Sequence, residues 1–202
     1  MTRGPGETAA ILLAAGRGTR FGAEPKLLAQ LGGKALVRHA AEAAVKSTAH
    51  PVVVVTGHRA AEVQSALSGL PVHMVHNALF AQGLSTSLKA GFSTLPPSAR
   101  AAIVLLGDMP FVTAELIDEL VTGWREEGEP AALVPTWNGQ RGNPVVISRK
   151  LQAAIEGLSG DVGAGPILRA RHDVLEWPTH DPAVVQDIDT QEEFAGHRPE
   201  AG

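Results

Sequence analysis

Short apolar runs alternate along this chain with segments whose apolar positions recur every three to four residues. The runs predict strands at Ala9–Leu13, Val52–Thr56, Val72–Val75, Ala102–Leu106, Ala131–Pro135 and Pro144–Ser148, with a short late one near Val174–Trp177. The periodic segments predict helices at Leu36–Lys46, Ala60–Leu67, Ser85–Thr94, Thr113–Trp124 and Arg149–Gly157, with Thr113 as a cap ahead of the stripe formed by Leu116 and Leu120. Such alternation is the signature of a three-layer α/β domain with a mostly parallel central sheet. The runs Pro51-Val-Val-Val-Val and Ile103-Val-Leu-Leu are apolar on both faces, as strands covered on both sides are. In open sheets of this kind ligands sit beyond the carboxyl ends of the strands. Those ends carry Gly16-Arg17-Gly18, Gly57-His58, His76-Asn77 and Gly107-Asp108-Met109-Pro110, so glycines and polar groups converge on one edge.

Composition narrows the picture. A chain of 202 residues with 44% hydrophobic and 19% charged residues can bury one substantial core. The expectation is a single domain over residues 1–202, with an ordered core from about Ala9 to Phe194 and frayed ends in MTRGPGET and GHRPEAG. The 22 glycines and 14 prolines lie between the apolar runs and read as turns. A net charge of −4 supplies no basic field for nucleic acid, so any anion must be held by a local cluster. The absence of cysteine excludes disulfides, thiolate metal sites and cysteine nucleophiles. No stretch approaches the roughly 18 apolar residues of a membrane span, and a soluble, cytoplasmic protein is expected.

The local cluster is the loop after the first strand. Its glycines at 16, 18 and 22 are spaced one residue too long for the dinucleotide fingerprint, and it lacks the Gly-Lys-Ser/Thr ending of a P-loop. What it offers is a turn whose backbone N–H groups can wrap an anion, with Arg17, Arg20 and Lys26 adding positive charge; the plain alternative is a strand-to-helix turn with solvated bases. Asp108, at the end of a buried strand, is placed either to bind a cation or to cap the next helix. Asp187 and Asp189 alternate in Val185-Gln186-Asp187-Ile188-Asp189-Thr190, so in an extended segment they share a face and one of them could join Asp108 at Mg²⁺; the plain alternative is that Asp189-Thr190 caps a helix at Gln191–Phe194, and both can hold. Arg141 and Asn143 precede a strand and suit either an anionic second substrate or a hairpin turn. Asn77, with Gly83, Ser85 and Ser87 beyond it, reads as a contact to a base or sugar, Ser85 alternatively as a helix cap. The histidines lack metal-ligand spacing, and no Gly-x-Ser-x-Gly elbow supports a hydrolase triad.

Taken together, LAAGRGTRFGAEPKLL, VVVVTGH, HNALFAQGLSTSL, LLGDMPFV, RGNPV and DIDT resemble the molybdenum-cofactor nucleotidyltransferases, nearest to the molybdenum cofactor cytidylyltransferase branch, over about Ala9 to Phe194. The resemblance implies a Rossmann-like, GT-A-like fold. Within Leu13-Ala14-Ala15-Gly16, Ala15 stands where the guanylyl branch usually has glycine, which favours CTP over GTP. It also implies that the loop Ala14–Gly22, with Gly18, Arg17 and Arg20, wraps the nucleotide, that Lys26 neutralises phosphate charge, and that Asp108 and Asp189 hold Mg²⁺, with Asp187 in reserve. Gly57, Asn77 and Ser85 join the nucleotide contacts, and Arg141 and Asn143 contact the molybdopterin acceptor. One departure stands out: Gly160-Asp161-Val162-Gly163-Ala164 matches a family motif that normally continues with Arg, where this chain has Gly165 and Pro166, so that either the acceptor differs or Arg169 reaches in from the next turn. GMP transfer, transfer to another phosphorylated acceptor, and a non-catalytic pterin carrier serving a client molybdoenzyme are the alternatives.

Overall fold

The computed structural model describes residues 7–18, 21, 25–188 and 190–196. Arg20, Gly22 and Asp189, all singled out above, lie outside the described residues. The chain runs through β1 (Thr8–Ala14), β2 (Gln30–Leu31), β3 (Lys34–Ala35), α1 (Leu36–Lys46), β4 (Val52–Thr56), α2 (Ala60–Ala66), β5 (His73–His76), α3 (Leu84–Ser93), β6 (Ala101–Leu106), α4 (Ala114–Glu126), β7 (Ala132–Trp137), β8 (Gln140–Arg141), β9 (Val145–Ser148), α5 (Gln152–Glu156), α6 (Gly165–Arg169), β10 (Val174–Pro178) and α7 (Gln191–Gly196). The main sheet has the order β10-β7-β9-β6-β1-β4-β5, with β8 paired to β7.

Pairing is parallel from β6 through β1 and β4 to β5 and between β10 and β7, whereas β9 is antiparallel to both of its neighbours. The fold is thus the expected three-layer α/β arrangement. Strand β1 shows why its sequence is apolar throughout: Ala10, Leu12 and Ala14 face the layer of α1 and α4, while Ala9, Ile11 and Leu13 face Leu88 and Phe92 of α3. Thr113 caps α4 as predicted, its Oγ1 accepting the Leu116 N–H at 3.2 Å.

Two hairpins were not predicted. Asn138 and Gly139, with φ of 50° and 80°, turn β7 into β8, and Gly32 and Gly33 turn β2 into β3. An Asn-Gly pair is the residue choice such tight turns demand. The segment around Arg141-Gly142-Asn143 therefore follows a hairpin turn rather than forming one. No helix among the described residues is long and apolar enough to cross a membrane.

Candidate active site

The chain leaves β1 for one side of the sheet and returns to the other side at β6, and the loops after these two strands face one another. Between them opens a cleft of about 560 Å³, lined by Leu13, Ala15, Gly16, Arg17, Gly18, Lys26, Gly107 and Asp108 on one side and by residues 80–84, Ser87 and Asp161 on the other. At its floor the Lys26 Nζ donates to Asp108 Oδ2 at 2.6 Å, with the lysine side chain 7% and the aspartate 21% exposed. The other carboxylate oxygen, Asp108 Oδ1, is buried and takes no hydrogen bond from any described residue. Gly18 makes this approach feasible: its φ is +59°, and a Cβ there would lie 2.8 Å from the Lys26 Cβ.

The carboxyl-terminal segment is anchored beside Asp108. The Ile188 N–H donates to the Asp108 backbone carbonyl at 3.1 Å, and the Phe194 ring meets Phe21 edge-on at 5.6 Å. Thr190 and Glu193 exchange hydrogen bonds at the start of α7, a capping box. This brings Ile188 against the Asp108 backbone; Asp187, one residue earlier, is exposed.

Phe80 lines the cleft opposite the glycine loop. The Arg17 guanidinium lies 5.6 Å from its ring centre, within cation–π range, and the His58 ring lies 6.1 Å away. Gly57 packs behind Phe80 and does not line the cleft: an added Cβ would sit 2.5 Å from the Phe80 Cβ and 3.0 Å from the Ala15 Cβ. Gly57→Ala is accordingly expected to push Phe80 out of place and to cost about 1–3 kcal/mol in stability, measured by denaturant unfolding; unchanged stability would mean the ring is not wedged there.

Several predicted contacts are spent on the protein itself. Asn77 is buried, its Nδ2 donating to Thr86 Oγ1 and Ser87 Oγ and its Oδ1 accepting the Leu79 N–H. Ser85 is fully buried; its hydroxyl donates to the Gly160 carbonyl at 2.8 Å, and Gly83, not Ser85, is the residue that precedes α3. Neither lines the cleft, and neither does Ala14. Arg141 of β8 donates to Glu176 Oε1 of β10 at 2.8 Å, both strands being paired with β7, and the Asn143 N–H donates to the Val184 carbonyl. These two also stand away from the cleft lining. The Arg169 guanidinium folds back over Gly165, within 3.1 Å of where a Cβ would be, but does not line the cleft.

Sequence reasoning left out Phe80, Leu84 and Asp161. Asp161 belonged to a motif already singled out, yet its place on the wall depends on a bond to Leu84, 77 residues away in sequence.

Comparison with known proteins identifies the family and the fold. Nicotine blue oxidoreductase of Paenarthrobacter nicotinovorans is 30% identical over 190 residues, 91% of this chain and 93% of that protein. The crystal structure of the Rv0371c homolog from Mycobacterium sp. strain JC1 matches with a TM-score of 0.80 at 27% identity over 94% of each chain. Rv0371c of Mycobacterium tuberculosis H37Rv, in complex with manganese, matches with a TM-score of 0.78 at 23% identity over 96% of this chain and 99% of that one. Residues 10–174 match the MobA-like NTP transferase domain. With its strand order, its glycine loop and the acid beyond β6, this chain belongs to the MobA-like NTP transferase family and is an enzyme of the nucleotidyltransferase type.

Proposed function

We propose that this chain transfers CMP from CTP to molybdopterin or the molybdenum cofactor, releases pyrophosphate, and uses Mg²⁺. The observation that carries the reading is the cleft in which a backbone-rich glycine loop, a nearly buried ammonium and a carboxylate with one oxygen that takes no hydrogen bond from any described residue meet. A buried carboxylate oxygen without a hydrogen bond is costly unless something occupies it, and a divalent cation fits its chemistry. Such a cation would be held by Asp108 together with Asp189, which lies outside the described residues, and would take its remaining oxygens from substrate and water. The manganese complex of the mycobacterial relative points the same way. When bound at Asp108, the ion would neutralise charge on the phosphate oxygens in the transition state.

The chain's own residues do the positioning. Backbone N–H groups of residues 16–18 cradle the phosphates, Lys26 faces them from the floor, and Arg17 is long enough to move from Phe80 to the triphosphate. A phosphate oxygen of the acceptor attacks the α-phosphorus in line; the new P–O bond forms as the bond to the β-phosphate bridging oxygen breaks, and that oxygen leaves with pyrophosphate. The choice of cytidine rests on the resemblance carried by Ala15, and the acceptor on the same resemblance. A cytoplasmic setting and delivery to a client molybdoenzyme belong to the same proposal.

Relatedness to nicotine blue oxidoreductase favours one second reading, redox conversion of a substrate on the same scaffold. The strand ends do not carry the acid that a dinucleotide ribose needs after β4, where Thr56 is followed by Gly57 and His58. The test is the mass of the product formed from molybdopterin with CTP, GTP, ATP or UTP, each with Mg²⁺. A CMP adduct is expected. A GMP adduct would overturn the cytidine assignment, and absence of any adduct would overturn the acceptor. The same mixture with a reduced nicotinamide added checks the second reading, which oxidation of that nicotinamide in place of adduct formation would support.

A further inference from the structure

The cleft is polarised. Lys26, Asp108 and Arg17 gather where β1 and β6 end, whereas the wall beyond the edge strand β5 presents Phe80, Gln82, Leu84 and Ser87 and one charged group, Asp161. A triphosphate at the basic end directs its nucleoside along the cleft toward this wall. The Arg17 guanidinium rests on Phe80 between the two ends, and the Asp161 carboxylate beyond it would repel phosphates, which favours a nucleotide oriented with its base at this wall.

Asp161 is exposed to the cleft and tied to the start of α3. Its Oδ1 accepts the Leu84 N–H at 3.1 Å, and the preceding Gly160 carbonyl accepts both the Ser85 hydroxyl, at 2.8 Å, and the Ser85 N–H, at 3.4 Å. Gly83, at φ +112°, lets the two segments touch: a Cβ on it would lie 2.4 Å from the carbonyl carbon and oxygen of Gly160. Oδ2 of Asp161 takes no hydrogen bond from any described residue. A carboxylate with one oxygen spare is a hydrogen-bond acceptor only, and it discriminates between planar groups by whether they present a donor.

Resting on the reading of this cleft as a nucleoside triphosphate site, we infer that Asp161 selects the base: its Oδ2 accepts a hydrogen bond from the exocyclic amino group of cytosine and disfavours uracil, which presents a carbonyl oxygen at the same place. A carboxylate accepting from the cytosine amino group is an established pairing, and two acceptors facing each other are mutually repulsive. Asp161 is thus a specificity residue set by its staple to α3, separate from the charge handling at Lys26 and Asp108.

The test measures CTP and UTP binding directly by titration calorimetry with Mg²⁺ and no acceptor, for the natural chain and for Asp161→Asn. Asparagine keeps an oxygen for the Leu84 N–H and replaces the spare oxygen by a donor, so the staple survives; Asp161→Ser, whose hydroxyl can also accept from Leu84, is the second variant, and melting temperatures report folding for both. The natural chain is expected to bind CTP about tenfold or more tightly than UTP, and the asparagine variant to lose most of that ratio, CTP weakening and UTP tightening. An unchanged ratio in a folded variant would overturn the inference. Equal binding of both nucleotides by the natural chain would overturn the inference alone. Binding of neither would take down the nucleotide reading with it.

Discussion

Asp108→Asn is expected to lower nucleotidyl transfer about a thousandfold, equivalent to about 4 kcal/mol of transition-state stabilisation, with little change in melting temperature. The substitution is nearly isosteric, and its side-chain oxygen still accepts from the Lys26 Nζ that now donates to Oδ2 at 2.6 Å. What it removes is the charge and the second oxygen, the one that is buried and takes no hydrogen bond from any described residue. Stability and activity should therefore separate: the fold keeps its contact while the site loses its hold on a divalent cation. Steady-state kinetics with CTP, alongside a Mn²⁺ titration, checks this. Full activity in the variant would remove Asp108 from the reaction, and retained Mn²⁺ binding would move the cation elsewhere.

Lys26→Met should reduce kcat/KM for CTP about a hundredfold, near 3 kcal/mol, through a different route. Methionine fills a similar volume beneath Gly18, so the loop is supported, but the ammonium that faces Asp108, and in the proposed reaction the phosphates, is gone. Mn²⁺ binding at Asp108 should persist or tighten, because a competing positive charge has been taken from the carboxylate. The two variants thus differ in sign on the metal and agree in sign on turnover. A lysine variant with unchanged kinetics would show that this loop does not hold the triphosphate; one that loses Mn²⁺ binding as completely as Asp108→Asn would make Lys26 a support for Asp108 and nothing more.

The layers of this fold were legible because burial writes itself into periodicity. Helix α1 falls at Leu36–Lys46 and strand β4 at Val52–Thr56, both with the predicted bounds, since each presents an uninterrupted apolar stripe or run to the core. Strands of two residues have no period to read, so β2, β3 and β8 went unpredicted even though Gly32-Gly33 and Asn138-Gly139 carry the turn residues that make them. The glycine loop and the Asp108 end of β6 were legible as site because of where they stand, at the carboxyl ends of central strands.

Polar residues were harder to place, for a physical reason. A polar side chain after a strand is equally suited to a ligand or to the chain's own backbone, and only the tertiary structure decides between them. Asn77 turned inward to Thr86, Ser87 and Leu79, and Ser85 turned to Gly160. Arg141 found Glu176, 35 residues later in sequence, which no local pattern announces. Asp161 is the converse case: a residue without an assigned part in sequence stands on the cleft wall because of one long-range bond.

The central claim is that the Lys26–Asp108 floor and the glycine loop activate a nucleoside triphosphate for transfer. It is tested most directly by pyrophosphate release from CTP in the presence of molybdopterin, with and without Mg²⁺. Release that requires both Mg²⁺ and the acceptor, and that Asp108→Asn abolishes, is the predicted result. Silence with CTP and with each of the other three nucleotides, from a folded protein given Mg²⁺ and either molybdopterin or its molybdenum-loaded form, would contradict it.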